Sequence, residues 1–201
     1  MPEGTSSYPA TLAFDAPDRI ANWRPLVQWL LVIPHVFVLY VLQLVSEVVA
    51  LISWFVIVFT GRLPDGLANM QALFMRYSLR TYTYMFFLRE EYPPFTFETT
   101  PADPGSDPRV RVDVQPQPAI QERNRLTVGF RIILVIPQLI VLAVLWFAAG
   151  VVTVIAFFAV LFTGKWPAGM RDFVMNVFGW WLRVEAYLLL LTDEYPPFAF
   201  E

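Results

Sequence analysis

Glu47 is the only charged residue between Arg24 and Arg62. An acid inside so long an apolar run needs a partner or water, and the cations able to answer it are Arg76 and Arg80, with Arg183 in the second half of the chain. If the chain folds back near Gly66, Glu47 lies twelve residues before Phe59 and the two arginines ten and fourteen after Gly66, so an antiparallel hairpin brings them to one depth. An unpaired ionisable group at the centre of a bilayer costs about 2.5 to 3.5 kcal/mol. Glu47, Arg76, Arg80 and Arg183 therefore read as a buried polar network. Two uses follow for it: a structural ion pair that locks the hairpin, or a path for ions or lipid headgroups. Snorkelling of the long side chains to the membrane surface is a third reading.

Other chemistry finds little footing. The chain has no GxSxG elbow, no GxxxxGK[ST] phosphate loop and no HExxH, and its single histidine, His35, cannot build a multi-histidine metal site. His35 follows Pro34 at the start of an apolar run and reads as a polar helix-start residue. The acidic pairs Glu90-Glu91 and Asp193-Glu194 read as solvated helix exits, because adjacent carboxylates point in different directions. No cysteine is present, which excludes disulfides, thiolate metal sites and cysteine nucleophiles. No catalytic, cofactor-binding or metal-ligating residue is expected, and a net charge of −3 argues against nucleic acid as a partner.

The residues that must be positioned sit in a duplicated chain. EEYPPFTFE, Glu90 to Glu98, returns as DEYPPFAFE, Asp193 to Glu201. TGRLP at Thr60 returns as TGKWP at Thr163, and Pro34 returns as Pro137, all at one offset of 103 positions. Position 150, the counterpart of Glu47, is Gly150, so Arg183, the counterpart of Arg80, has to find Glu185, Asp172, a carbonyl or Glu47 itself. With 57% hydrophobic residues, 16% aromatic and a mean hydropathy of +0.52, the bilayer is the expected solvent. Membrane lipids are then partners by default, and no cleaved signal peptide is indicated in the first 23 residues.

Each apolar run is too long for one straight crossing of a core about 30 Å thick. Pro34 and Pro137 are expected break points. Ile20 to Ile33 and Asn124 to Ile136 become interfacial helices, Val36 to Phe59 and Leu139 to Phe162 crossing helices, and Gly66 to Leu88 and Gly169 to Leu191 the returning helices. A surface amphipathic helix is the alternative for the last pair. Gly61 and Gly164 end the first helices. Arg62 and Lys165 beside them would cap the turn electrostatically or bind a lipid phosphate. Tyr92-Pro93-Pro94-Phe95 and Tyr195-Pro196-Pro197-Phe198 suit stiff, extended interfacial segments, with docking of a partner as the second reading. Alternating residues at Tyr8 to Phe14, Phe95 to Glu98, Val110 to Val114 and Phe198 to Glu201 suggest four strands of a small sheet.

RNRLTVGFRIILVIPQ, FTGKWP and LLLLTDEYPPFAF resemble a widespread bacterial membrane family catalogued only as a domain of unknown function. The resemblance covers both repeats and implies a membrane domain, often duplicated, with no activity carried over. The first repeat departs from it, with WRPLVQW in place of the basic RLTVGFR pattern.

The expected fold is mainly α and integral to the membrane: two tandem helical hairpins, about four crossings in all, with interfacial helices and a small extramembrane β-sheet. The expected units are residues 1–18, a first membrane repeat at 19–98, a linker at 99–118 and a second repeat at 119–201. The Lys and Arg distribution puts termini and linker on the cytoplasmic side of the cell membrane. The expected function is non-enzymatic, an accessory or scaffold subunit working with other membrane-protein subunits or as a homo-oligomer. A lipid- or ion-handling protein is the alternative.

Overall fold

The computed structural model describes residues 8–100, 102–118 and 121–200. Residues 1–7 of the N-terminal segment, residues Pro101, Ala119 and Ile120, and Glu201 of the fourth expected strand lie outside the described residues.

Each repeat begins with short helices, α1 (Arg24–Leu31) in the first and α4 (Arg125–Gly129) with α5 (Arg131–Leu134) in the second. A 28-residue apolar helix follows, α2 (Ile33–Thr60) or α6 (Ile136–Thr163), and then a 21-residue helix, α3 (Asp65–Met85) or α7 (Ala168–Leu188). Pro34 and Pro137 do mark the breaks, but from inside the first turn of the long helices, where the missing amide has no helical partner to lose. Thr60 and Thr163 close the far ends, and the chain reverses at Gly61 (φ 75°) and Gly164 (φ 68°), whose left-handed backbone a β-carbon would strain.

The two hairpins pack head to tail. The Ile20 amide donates to the Gly164 carbonyl at 2.8 Å, and the Arg123 amide, 103 positions later, donates to the Gly61 carbonyl, also at 2.8 Å. The start of each repeat therefore touches the turn of the other, and the two turns lie at opposite ends of helices roughly 42 Å long at 1.5 Å per residue. This corrects the expectation that both turns share one end. Equal offsets preserve each residue's environment, but the two copies are related by inversion of direction.

Only two of the four expected strands pair. Strand β1 (Ala10–Phe14) runs antiparallel to β2 (Val110–Val114), with Leu12 opposite Val112. Residues 95–98 and 198–200 form no strand, and one carbonyl in each is taken by an arginine instead: Glu98 O accepts from Arg76 and Ala199 O from Arg183. The sheet lies on the second helices, β2 against α3 and β1 against α7.

Three layers result. The apolar helices α2 and α6 form one outer layer, α3 and α7 the middle, and the sheet with its extended flanks the other outer layer. The core sits between the last two, around Val110, Val112, Met75, Leu79, Phe178 and Leu182. The first layer is left bare: Phe37, Phe59, Phe147 and Phe162 are each more than 70% exposed.

Candidate functional site

The charged side chains gather at the seams where extended segments cross helices. Arg80 donates from Nη2 to Asp103 Oδ1 at 2.7 Å and from Nη1 to the hydroxyls of Thr96 and Ser106 at 3.0 Å. Arg76 donates to the Val112 and Glu98 carbonyls. Arg89 completes this half by donating to Asp107 Oδ1 at 2.6 Å and to the Arg80 carbonyl. Burial alone would raise the Asp103 carboxyl, but the Val112 and Gly105 amides and the Arg80 guanidinium outweigh it and hold it below the usual carboxylate range.

In the second half the hub is Asp193. Its Oδ1 accepts from Arg123 at 2.8 Å and from Arg131 at 2.6 Å, and its Oδ2 accepts the Asn124 amide. Burial opposes ionisation there too, yet Arg123 first, then the Asn124 amide and Arg131, keep the carboxyl depressed. Three of the four acids before the YPPF segments, Glu90, Glu91 and Asp193, are thus clamps rather than solvated exits, whereas Glu194 is exposed. Glu90 accepts the Ala21 amide, and Glu91 accepts from Arg109 at 2.7 Å.

The repeats reproduce their bonds even where residue types differ. Gln28 donates to the carbonyls of Tyr84 and Arg89, and Arg131, its counterpart, donates to those of Tyr187 and Thr192. His35 pairs with the Tyr77 hydroxyl at 2.6 Å, and Gln138 accepts from Trp180 Nε1 at 2.8 Å. His35 is fully buried and stacks on Phe95 with ring centroids 4.1 Å apart. Phe87 (φ 57°) and Leu190 (φ 67°), again counterparts, share a backbone region uncommon for side chains of their size.

The expected network of four does not assemble. Arg76 and Arg80 turn toward the linker, and Arg183 meets the Ala199 carbonyl at 2.6 Å. Glu47 faces away from all three and accepts from Gln43 one turn earlier at 3.0 Å. The reason is helical phase. Ser46, Val49 and Ser53 form the buried stripe of α2, Ser46 bonding Gln71 of α3, and residue 47 sits about 100° round from Ser46. Glu47 instead lines a cleft with Glu185 of α7. Burial, and after it the charge of Glu47, push the Glu185 carboxyl up to about 7.

Arg62 and Lys165 are exposed, and among the described residues their side chains make no hydrogen bond or ion pair. The turns are closed by Thr60 and Thr163, each hydroxyl accepting the amide two residues on. Tyr92, Phe95, Tyr195 and Phe198 are each 40 to 54% exposed. Their inner faces are used within the chain, Phe95 on His35, Phe198 on Trp180, and the Tyr195 hydroxyl on the Leu134 carbonyl. Pro93, Pro94, Pro196 and Pro197 keep these segments extended.

Sequence reasoning missed Arg89, Asp103, Asp107, Arg123, Arg131 and Asp193 as a bonding set. One signal was available: Glu90 and Asp193 hold the same repeat position, and each repeat begins with a basic or amide residue able to reach it. Among the described residues no group of histidines, aspartates or glutamates has a metal-binding arrangement.

Fold and seams together define a duplicated helical-hairpin protein whose copies are inverted and strapped by buried ion pairs. The profile of one family, described as Domain of unknown function (DUF4389), matches the chain twice, at residues 22–96 and 125–199, and the chain belongs to that family. No curated protein and no solved structure matches it. By length and composition α2 and α6 are long and apolar enough to cross a membrane.

Proposed function

We propose that this is a non-enzymatic membrane protein, an accessory or scaffold subunit of a larger membrane assembly, with α2 and α6 lying along the plane of the bilayer rather than across it. The observation that carries the reading is the bare outer layer. Only 17% of the most apolar window of either helix is buried, whereas the core helix of a soluble protein would be mostly covered. A surface of that kind belongs against lipid or a partner.

The in-plane placement replaces the four expected crossings for a physical reason. Strands β1 and β2 pack on α7 and α3, and they and their flanks carry Asp15, Asp18, Arg109, Arg111, Asp113 and Glu122. Helices perpendicular to the membrane would drag these charges and two open strand edges through hydrocarbon, where unsatisfied backbone groups cost several kcal/mol each. Helices in the plane leave the sheet layer in water, with the termini and the linker on one side, which the arginine distribution makes the cytoplasmic one. The exposed tryptophans Trp23 and Trp29 beside α2 suit the headgroup region. A non-enzymatic role is supported by the seam carboxylates Asp103, Asp107 and Asp193, each of which is held by an internal arginine and by backbone amides.

The chain has no cysteine, so single cysteines report sidedness cleanly. Arg62→Cys, Lys165→Cys and Arg111→Cys are expected to react with an impermeant thiol reagent from the same side of sealed vesicles. Because the turns are inverted, crossing helices would expose Arg62→Cys and Lys165→Cys on opposite sides, and that result overturns the placement. The subunit role is checked by mild-detergent purification, which is expected to retain other membrane proteins in fixed ratio. A chain that purifies alone as a monomer contradicts it.

A further inference from the structure

We propose that the cleft between α2, α5 and the end of α7 binds an amine-headed amphiphile, a bilayer lipid whose ammonium group sits with Glu47 and Glu185 and whose chain lies over Leu51 and Trp54. The cleft has a volume of about 520 Å³ and largely apolar walls, to which Ile132 and Leu188 contribute. Two carboxylates open into it. Neither forms an ion pair among the described residues, and the one hydrogen bond that Glu47 accepts comes from a neutral amide, Gln43. The single cation lining the space, Arg131, is already engaged by Asp193 and by the Tyr187 and Thr192 carbonyls. A partly buried acid, Glu185, and an exposed one at its side, Glu47, on apolar walls without a basic partner suit a cation that brings apolar surface with it.

The duplication supplies an internal control. The counterparts of Gln43, Glu47 and Glu185 are Trp146, Gly150 and Tyr82. There the rings fill the space: Tyr82 packs edge-on to Trp146 at 5.7 Å between centroids, and Phe86 does so at 5.8 Å. One fold thus carries the same position in a closed, aromatic form and an open, acidic form. Mere packing would be served by the closed form in both copies. The Glu185 carboxyl, pushed up to about 7 by burial and then by the charge of Glu47, agrees with a group that no cation among the described residues neutralises.

That the occupant comes from the bilayer rests on the membrane reading, but binding in detergent does not depend on how α2 is oriented, so the two can fail separately. The full chain in dodecyl maltoside micelles is titrated with phosphatidylethanolamine, phosphatidylglycerol or free ethanolamine, and bound lipid is read by native mass spectrometry. Phosphatidylethanolamine is expected to be retained about tenfold better than phosphatidylglycerol, the change that one lost charge-assisted bond produces. Free ethanolamine at equal concentration is expected not to displace it. Glu47→Gln with Glu185→Gln is expected to abolish the preference. Gln43→Trp with Glu185→Tyr, which copies the closed half, is expected to expel the lipid while holding or raising the Tm, and it decides the matter if the first variant fails to fold. Equal retention of the two lipids, displacement by ethanolamine alone, or retention by the filled variant overturns the proposal.

Discussion

Arg89 and Asp107 form an ion pair with no exposed surface on either side chain, Nη1 to Oδ1 2.6 Å. It joins the exit of α3 to the start of β2, and Asp107 also accepts the amides of Arg109 and Val110 at 2.9 Å. The pair thus fixes where the linker turns back along the helix.

Removing one partner leaves the other charge buried and unanswered. Arg89→Ala is expected to lower unfolding free energy in detergent by about 3 to 5 kcal/mol. Arg109→Ala breaks only partly exposed pairs with Glu91 and Asp15 and is expected to cost about 0 to 1 kcal/mol. Chemical denaturation of the two variants side by side checks the contrast, and equal losses would contradict it.

Arg80 and Glu47 look like partners in the sequence and are not. Arg80→Ala and Asp103→Ala share a 2.7 Å contact and are expected to be non-additive by about 0.5 to 3 kcal/mol. Arg80→Ala with Glu47→Gln is expected to add within roughly 0.5 kcal/mol, since the residues share no partner. Double-mutant cycles on thermal or denaturant unfolding read both.

The two turn glycines should respond unequally to the same substitution. Each has a left-handed backbone, which costs a residue bearing a β-carbon about 1 to 2 kcal/mol. At Gly61 the added carbon meets the end of the Arg125 side chain at 3.0 Å, which can swing aside. At Gly164 it meets the Ile20 carbonyl oxygen at 2.9 Å, and that oxygen belongs to the backbone joining the repeats. Gly164→Ala is therefore expected to lower the Tm more than Gly61→Ala.

Much of the architecture was legible because it is written locally. Pro34, Gly61 and their counterparts punctuate the helices, the offset of 103 gives the duplication, and TLAF and VRVDV give the two strands that pair. The relation between the copies was not legible. Head-to-tail and side-by-side packing use the same helices and turns, and the choice is made by contacts such as Ile20 to Gly164, about 140 residues apart in sequence. Glu47 was misassigned for a related reason: counting from a turn gives depth along a hairpin but not rotation, and one step of about 100° carried it off the buried stripe. FTFE and FAFE alternate like strands, yet Arg76 of α3 takes the Glu98 carbonyl and Arg183 of α7 the Ala199 carbonyl.

Acid should loosen the strapping in a defined window. The Asp103 and Asp193 carboxyls are both held below their ordinary value in the folded chain, by amides and Arg80 in one case and chiefly by Arg123, Asn124 and Arg131 in the other. A group whose folded pKa is depressed contributes stability that is fully present above its unfolded value, about 3.9, and is lost as pH falls through the folded value. Unfolding free energy is therefore expected to be unaffected by these two groups between pH 5 and 7 on this scale and to drop below about pH 4. Asp193→Asn separates the hub from the rest. The amide cannot neutralise Arg123 and Arg131, both buried, so the variant is expected to be much less stable than the wild type at neutral pH. Protonation removes the same charge from the wild type, so the two curves are expected to converge as pH falls toward 2. Parallel curves across the whole range would show that Asp193 is not the group that acid titrates.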